Sequence, residues 1–223
     1  MSIFLLNSYV YEVADTPVDQ VANAQAMSFN GTDQYVNISK DLNSTFQGAF
    51  SYSVWVKFNS LNATYDSFLS AGFPFQCYIL NGTVKMWLSN SNSASSEDIP
   101  ASSVLTANSW HHIVFTRSGN GVGNTNKIYI NKQLDITDSS DTTVTLSTSN
   151  LTIGSWENPS GVGNYYFNGQ LDEVALFNTE LSPEKITQIY DATAVVGGVP
   201  QTANLFTGGL DSSLVYWNRM GDS

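Results

Sequence analysis

The sequence predicts an all-β sandwich of two antiparallel sheets with one short helix near its end. Three observations predict it. Apolar and polar residues alternate with a period of two along most of the chain, nearly every such run is closed by Gly, Pro or Asn, and a single segment carries helix signals. The 223 residues are ample for one large β-type domain with a core of its own.

The alternation is clearest in residues 50–58. Phe50, Tyr52, Val54, Val56 and Phe58 fall on one face there, and Ser51, Ser53, Trp55 and Lys57 on the other, the period a packed sheet requires. Similar runs cover 34–38, 77–80, 83–89, 110–117, 127–131, 151–155 and 169–178, enough strands for two sheets. The helix is expected over 182–190. Ser182 is its N-cap, Pro183 its first helical residue, and Leu181 with Ile186 a hydrophobic staple. Ile186, Ile189 and Tyr190 make a stripe at i, i+3, i+4, which lays the helix flat on the sandwich. Residues 193–209, rich in Gly and Thr, read as a linker. In LVYWNRMGDS (214–223), Leu214 and Tyr216 alternate with Val215 and Trp217, so a terminal strand is expected. The chain thus divides into an N-terminal arm (1–25), the sandwich body (26–192), and a linker with its terminal strand (193–223).

Composition narrows the function. Eight Lys and Arg against 19 Asp and Glu give a net charge of -11, which removes the phosphate-neutralising term behind nucleic-acid binding. Only 12% of residues are charged while 42% are apolar and 13% aromatic, too apolar for a disordered acidic chain. Ser, Thr and Asn take the place of the missing charge, and such a neutral surface suits β-structure meeting water or sugars. The lone Cys77 excludes a disulfide framework and a cysteine zinc site, and is expected to pack as a small apolar group. Ile3 to Leu6 is the only apolar stretch of the N-terminus, with no preceding Lys or Arg and no A-x-A site, which makes a poor signal peptide. No apolar run approaches the ~20 residues of a membrane helix, so membrane insertion is not expected. The six N-x-S/T sequons, at Asn30, Asn37, Asn43, Asn62, Asn81 and Asn150, are what so much Asn, Ser and Thr produces by chance.

Five segments carry a family resemblance: MSFNGTDQYVNIS (27–39), FSYSVWVKF (50–58), WHHIVFTRSGN (110–120), KIYINKQL (127–134) and FNGQLDEVALFNTELSPEKITQIYDA (167–192). In order, they resemble the laminin-G-like domains of the concanavalin A-like lectin/glucanase superfamily. The last is the most specific, with its Asp-Glu-Val strand, Leu-Ser-Pro-Glu and a short helix containing Tyr190. The resemblance implies a jelly roll of two curved antiparallel sheets, and a domain that binds carbohydrate or protein, or serves as a spacer, without catalysis. Residues 214–223 resemble the family's opening strand, which normally stands ahead of the Phe-Asp-Gly segment. They are also similar to a Trp-Arg-Met-Gly-Asp run joining such units in structural proteins of bacterial viruses.

Glucanases of the superfamily need two Glu on one strand flanking an Asp and facing one groove, and no E-x-D-x-x-E run exists here. Asp172 and Glu173 are adjacent, so regular strand geometry would point them to opposite faces. His111 and His112 diverge for the same reason and are read as structural. The resemblance implies a calcium site at Asp172, with Asn30 standing where the family has Asp and Asp33 as a further ligand candidate. Equally, Asp172 would hydrogen-bond the Asn30-Gly31 turn without metal.

For sugar, the loop 155–166 is the best candidate. Trp156, Tyr165 and Tyr166 offer ring faces for a pyranose, while Glu157, Asn158 and Asn164 would orient its hydroxyls. The same rings would otherwise close the end of the sandwich. Phe73, Phe75 and Tyr78 form a second aromatic group, equally readable as core. The leading expectation is a non-catalytic structural or adhesion module of a virion surface, partnered by its own copies or other virion proteins. A secreted glycan-binding module is the alternative. The vacant opening-strand slot would be filled by residues 214–220 of the same chain or, the favoured reading, of a neighbouring protomer, with residues 3–13 as rivals for it.

Overall fold

The structure, a computed structural model, describes residues 18–21, 25–38, 43–61, 64–72, 74–90, 96–140, 142–145, 151–156 and 165–220. Two antiparallel sheets face each other across a continuous apolar core. The seven-stranded sheet runs in the order β11 (Gln133–Ser140), β10 (Asn124–Ile130), β9 (His111–Arg117), β4 (Phe50–Phe58), β15 (Asn168–Phe177) and β19 (Leu214–Asn218). Its last member is β2 (Met27–Asn30), which pairs with the first half of β15 while β19 pairs with the second half. The six-stranded sheet runs β3 (Val36–Ile38), β12 (Leu151–Ile153), β5 (Asp66–Ser70), β6 (Phe75–Leu80), β7 (Thr83–Ser89) and β8 (Ser96–Val104). Three small ribbons complete the fold: β1 (Asp19–Val21) with β18 (Thr202–Asn204), β13 (Ser155–Trp156) with β14 (Tyr165–Tyr166), and β16 (Val195–Val196) with β17 (Val199–Pro200).

Alternation sets what each strand buries. Phe50, Tyr52, Val54, Val56 and Phe58 of β4 enter the core between the sheets, opposite Phe75, Cys77 and Ile79 of β6 and Val84, Met86 and Leu88 of β7. The one-turn helix α1 (Asn43–Phe46) contributes Phe46, whose ring centroid lies 5.0 Å from that of Phe50 and 4.9 Å from that of Phe75. The strand bounds expected at 50–58 and 83–89 are those observed. Besides β2 and the strands of the small ribbons, three strands of the two main sheets fall outside the expected runs. β8 and β11 are edge strands, polar and, in β8, interrupted by Pro100, a residue that only an edge tolerates easily. β5 is short, buried at all five residues and bulged between Ser67 and Leu69, so it shows no alternation.

A second apolar cluster covers the outer face of the seven-stranded sheet. The helix α2 (Pro183–Ala192) lays Ile186 and Ile189 on Val114, Tyr129, Ala175 and Phe177. Its start is as expected: Ser182 caps it by accepting from the Lys185 N–H at 3.3 Å, Pro183 is its first residue, and Leu181 and Ile186 are both buried. Small residues of β4 make room beneath. Ser51 Oγ donates to the Thr179 carbonyl and accepts from the Leu181 N–H, each at 2.8 Å, which pins the turn leading into α2.

The stretch read as a linker is part of this cover. Ala203, Leu205 and Leu210 are buried in the second cluster beside Val18, and β18 pairs with β1. The terminal strand then enters the slot beside β15 in its own chain, Ala175 opposite Trp217 and Leu176 opposite Tyr216. Within this chain the slot is thus filled by its own residues 214–218, the first of the two occupants expected; the favoured strand of a neighbouring protomer would have to meet the same edge of β15. The chain returns across the sheet in packed turns and arrives alongside β15 in antiparallel register. The rival segment 3–13 lies outside the described residues.

Candidate functional site

On the outer face of the six-stranded sheet, the residues that alternate with the core point outward. Cross-strand register places Gln76 of β6 opposite Trp87 of β7, and Trp87 opposite Asp98 of β8, while Tyr78 lies opposite Lys85. The ribbon β13–β14 stands beside this row. Gly154 permits it: the backbone there adopts φ +83°, and a Cβ would collide with the Phe29 ring. Trp156 and Tyr165, opposite each other in the ribbon, stack with centroids 5.1 Å apart and planes within 3°. Tyr65 joins the two groups edge-on, 4.9 Å from Tyr165 and 4.8 Å from Tyr78.

Together Tyr65, Gln76, Tyr78, Trp87, Asp98, Trp156 and Tyr165 line a hollow of about 230 Å³. Asp98 is its electrostatic centre. Its carboxylate accepts from the Tyr78 hydroxyl and from the Lys85 ammonium, both at 2.7 Å. Burial, and then the Asp98 carboxylate beside it, raise the Tyr78 phenol well above its ordinary value, so Tyr78 remains a neutral donor. A second hollow, about 310 Å³, lies across the Tyr65 and Tyr165 wall and is lined also by Gly31, Thr64, Asp66, Tyr166 and Asn168. Tyr166 meets Tyr35 at 6.3 Å.

Aromatic faces beside an amide, a phenol and a carboxylate are what a sugar ring requires, since the C–H face of a pyranose is apolar and its rim is hydroxylic. Hydrolysis would need a pair of cooperating carboxylates. Among the described residues Asp98 is the sole acid lining the first hollow, and its neighbour Glu97 acts on the buried Arg117.

The sequence candidates separate into those brought together and those kept apart. Trp156 and Tyr165 stack in the first hollow and Tyr166 lines the second, whereas Asn158 and Asn164 lie outside the described residues. Phe75 is core, Tyr78 belongs to the site, and Phe73 lies outside the described residues. The calcium candidates do not converge. Asn30 pairs opposite Asn168, four residues and roughly 13 Å of strand from Asp172. The Asn30 side chain accepts from the Thr32 and Asp33 N–H groups and donates to the Asp33 carboxylate at 2.7 Å, while Asp172 is fully buried and accepts from the Glu173 N–H. No group of three His, Cys, Asp or Glu side chains is poised for a metal ion among the described residues.

Asp172 and Glu173 do not diverge as a regular strand would have them. A register shift after Asp172, with Glu173 at φ +49°, turns both toward the covered face. There Glu173 accepts from the Thr202 hydroxyl at 2.6 Å and the Trp217 indole at 3.2 Å. Burial pushes its carboxyl up to about 7, against those hydrogen bonds and the Arg219 charge. His112 is buried too, its Nε2 2.8 Å from Ser53 Oγ and its ring between Trp55 and Tyr190, and burial pushes it down to about 3. This Ser–His pair is closed off beneath α2 and is structural, as is His111, whose Nε2 meets the Thr106 carbonyl.

Trp87, Gln76, Asp98 and Tyr65 were missed by the sequence reading. The signal for Trp87 was present: Val84, Met86 and Leu88 point inward, so the intervening Lys85 and Trp87 must point out.

A laminin-G-like model of the concanavalin A-like lectin/glucanases superfamily matches residues 30–187. The chain belongs to that superfamily. The match runs from the last residue of β2 into the first half of α2, so it takes in the whole six-stranded sheet, β4, β9, β10, β11 and β15 of the other, and both hollows, while β19 lies outside it. No curated protein sequence matches significantly. Among solved structures, the binding domain of botulinum neurotoxin DC in complex with rat synaptotagmin II aligns with a TM-score of 0.60 and 16% identity, over 81% of this chain and 47% of that one. The same neurotoxin's binding domain in complex with SialylT gives 0.58 and 18%, over 81% and 47%. A heptameric SAP-like pentraxin from Limulus polyphemus gives 0.56 and 16%, over 80% and 91%. This superfamily member thus spans about half the length of the toxin domains, and at these identities the likeness establishes a shared jelly-roll fold.

Proposed function

We propose that this protein is a non-catalytic carbohydrate-binding module that recognises a glycan through the outer face of its six-stranded sheet, at an extracellular or particle surface. The observation that carries the reading is the aromatic-walled hollow with Gln76, Tyr78 and Asp98 in its lining. Trp87 or Trp156 supplies the face for a sugar ring, and the polar groups fix its hydroxyls. Membership of a lectin/glucanase superfamily supports it, as does the fold shared with a neurotoxin binding domain solved in complex with SialylT. The virion context, foremost in the sequence reading, rests on sequence signals alone, the N-terminus without signal-peptide features, the Ser/Thr/Asn-rich surface and residues 214–222, while the glycan-binding alternative has a hollow to support it. Self-association would suit either, because copies held together multiply weak sites into avidity. A glycan array with the full chain tests the proposal. Binding that is lost in both Trp87→Ala and Trp156→Ala supports it, and an array without a signal, or one unaffected by either variant, overturns it.

A further inference from the structure

The two hollows share a wall, Tyr65 and Tyr165, and each stands at or below the small end of the ligand-pocket range, room for about one sugar ring apiece. The first is walled by aromatic rings. The second is more polar, with Thr64, Asp66 and Asn168 among its lining residues.

Their charge is one-sided. Asp98 lines the first and Asp66 the second, and no Lys, Arg or His is among the described residues lining either. Lys85, the cation beside the first hollow, is held by Asp98 at 2.7 Å. The remaining described cations are occupied elsewhere. Lys57 lies over Trp110, Lys127 pairs with Glu180 and Lys132 with Asp191. Arg117 bonds Asn126 and Gly119, Lys185 bonds Gly208, and Arg219 bonds Thr202. Residues 157–164, ENPSGVGN, contain no Lys or Arg, and the whole chain carries -11. An anionic sugar entering the site would lose water against fixed carboxylates with no cation among the described lining residues to meet it, and would approach through the repulsive field of a chain carrying -11.

Resting on the glycan reading above, we infer that the site selects a neutral glycan of at least two sugar units, laid across the Tyr65–Tyr165 wall, and rejects sialylated, uronic or sulfated ones. One ring packs in the aromatic hollow. The next presents its hydroxyls to Thr64 and Asn168.

Calorimetric titration of the full chain with matched sets tests this: galactose, lactose and sialyllactose; N-acetylglucosamine, chitotriose and a hyaluronan tetrasaccharide. In whichever set binds, the neutral oligosaccharide should be at least about tenfold tighter than its monosaccharide and than its anionic counterpart, roughly one decade each. Asp98→Asn, which keeps an acceptor for Tyr78 and releases Lys85, should narrow the neutral-to-anionic gap. Lys85→Gln should widen it, giving a second readout if the first variant folds poorly. An anionic glycan bound as tightly as the neutral one, or a monosaccharide as tight as its oligomer, overturns the inference. If that binding is still lost in Trp87→Ala, the glycan reading survives without it. No heat with any of the sugars overturns both.

Discussion

The outer faces of the two sheets carry similar aromatic residues and end differently. On the seven-stranded sheet Trp55 stacks with Tyr190 at 5.5 Å and flanks His112, and its indole donates to Thr193 Oγ1 at 2.7 Å, all beneath α2. On the six-stranded sheet Trp87, Tyr78, Trp156 and Tyr165 line an open hollow. An outward Trp in an alternating strand is therefore ambiguous by itself. What decides its use is whether another segment covers it: residues 181–217 cover the first face, and the Trp156–Tyr165 ribbon borders the second.

The largest expected effect breaks the covered face. Trp55→Ala removes a side chain that is 2% exposed, its stack and its hydrogen bond, and should cost about 3–5 kcal/mol. Thermal unfolding would show a fall of roughly 6–20 °C, since about 1 kcal/mol moves a domain of this size by roughly 2–4 °C. Glycan affinity measured below the new midpoint should be unchanged.

The pH response separates two buried groups of that same face, and their signs oppose. Glu173 is raised from its ordinary 4.5 to about 7, so the folded state holds the proton more tightly. Its contribution is complete below pH 4.5 and is lost as pH rises through about 7, on the order of 3 kcal/mol. His112 is lowered from 6.5 to about 3, so its contribution is present above pH 6.5 and is lost as pH falls toward 3. Between pH 6.5 and 4.5 the two partly cancel in the intact protein. Denaturant midpoints should then drop on acidification in Glu173→Gln and rise in His112→Gln. Parallel profiles in both variants would contradict the assignment.

On the open face the effects are smaller in stability and larger in binding. Trp87→Ala should cost about 1 kcal/mol of stability and about tenfold or more in affinity, since one stacked ring is worth on the order of 1.5 kcal/mol. Equal losses in Trp55→Ala and Trp87→Ala binding would erase the distinction between the faces. Touching neither face, Cys77→Ser places a hydroxyl in the core and should cost about 1–2 kcal/mol with no change in affinity. Reductant should leave the oligomeric state of the intact protein as it was.

Much of the frame was legible because it follows from alternation and capping. Residues 50–58 and the Ser182-Pro183 helix start declare themselves in single segments. Half of the site was legible for the same reason, since Trp156 and Tyr165 stand in one aromatic-rich loop. The other half is a product of register. Gln76, Trp87 and Asp98 are neighbours only because three strands align, and Asp98 lies on an edge strand whose polar sequence and Pro100 hide it. Glu173 was misplaced because a single bulge reverses the parity on which face assignments depend. The terminal strand and its slot were both recognised, but the choice between same-chain and neighbouring occupant was not legible, because pairing with β15 depends on how residues 193–213 fold back.

The five tryptophans, Trp55, Trp87, Trp110, Trp156 and Trp217, allow both faces to be read in one experiment. The full chain labelled with 5-fluorotryptophan, its resonances assigned by single Trp→Phe variants, is titrated by fluorine NMR with the neutral oligosaccharide that binds best. Saturable shifts at Trp87 and Trp156, with Trp55 and Trp217 unmoved, are the predicted result. Shifts confined to Trp110 or Trp217, or resonances that remain still at saturating sugar, would contradict the assignment of the open face as the glycan site.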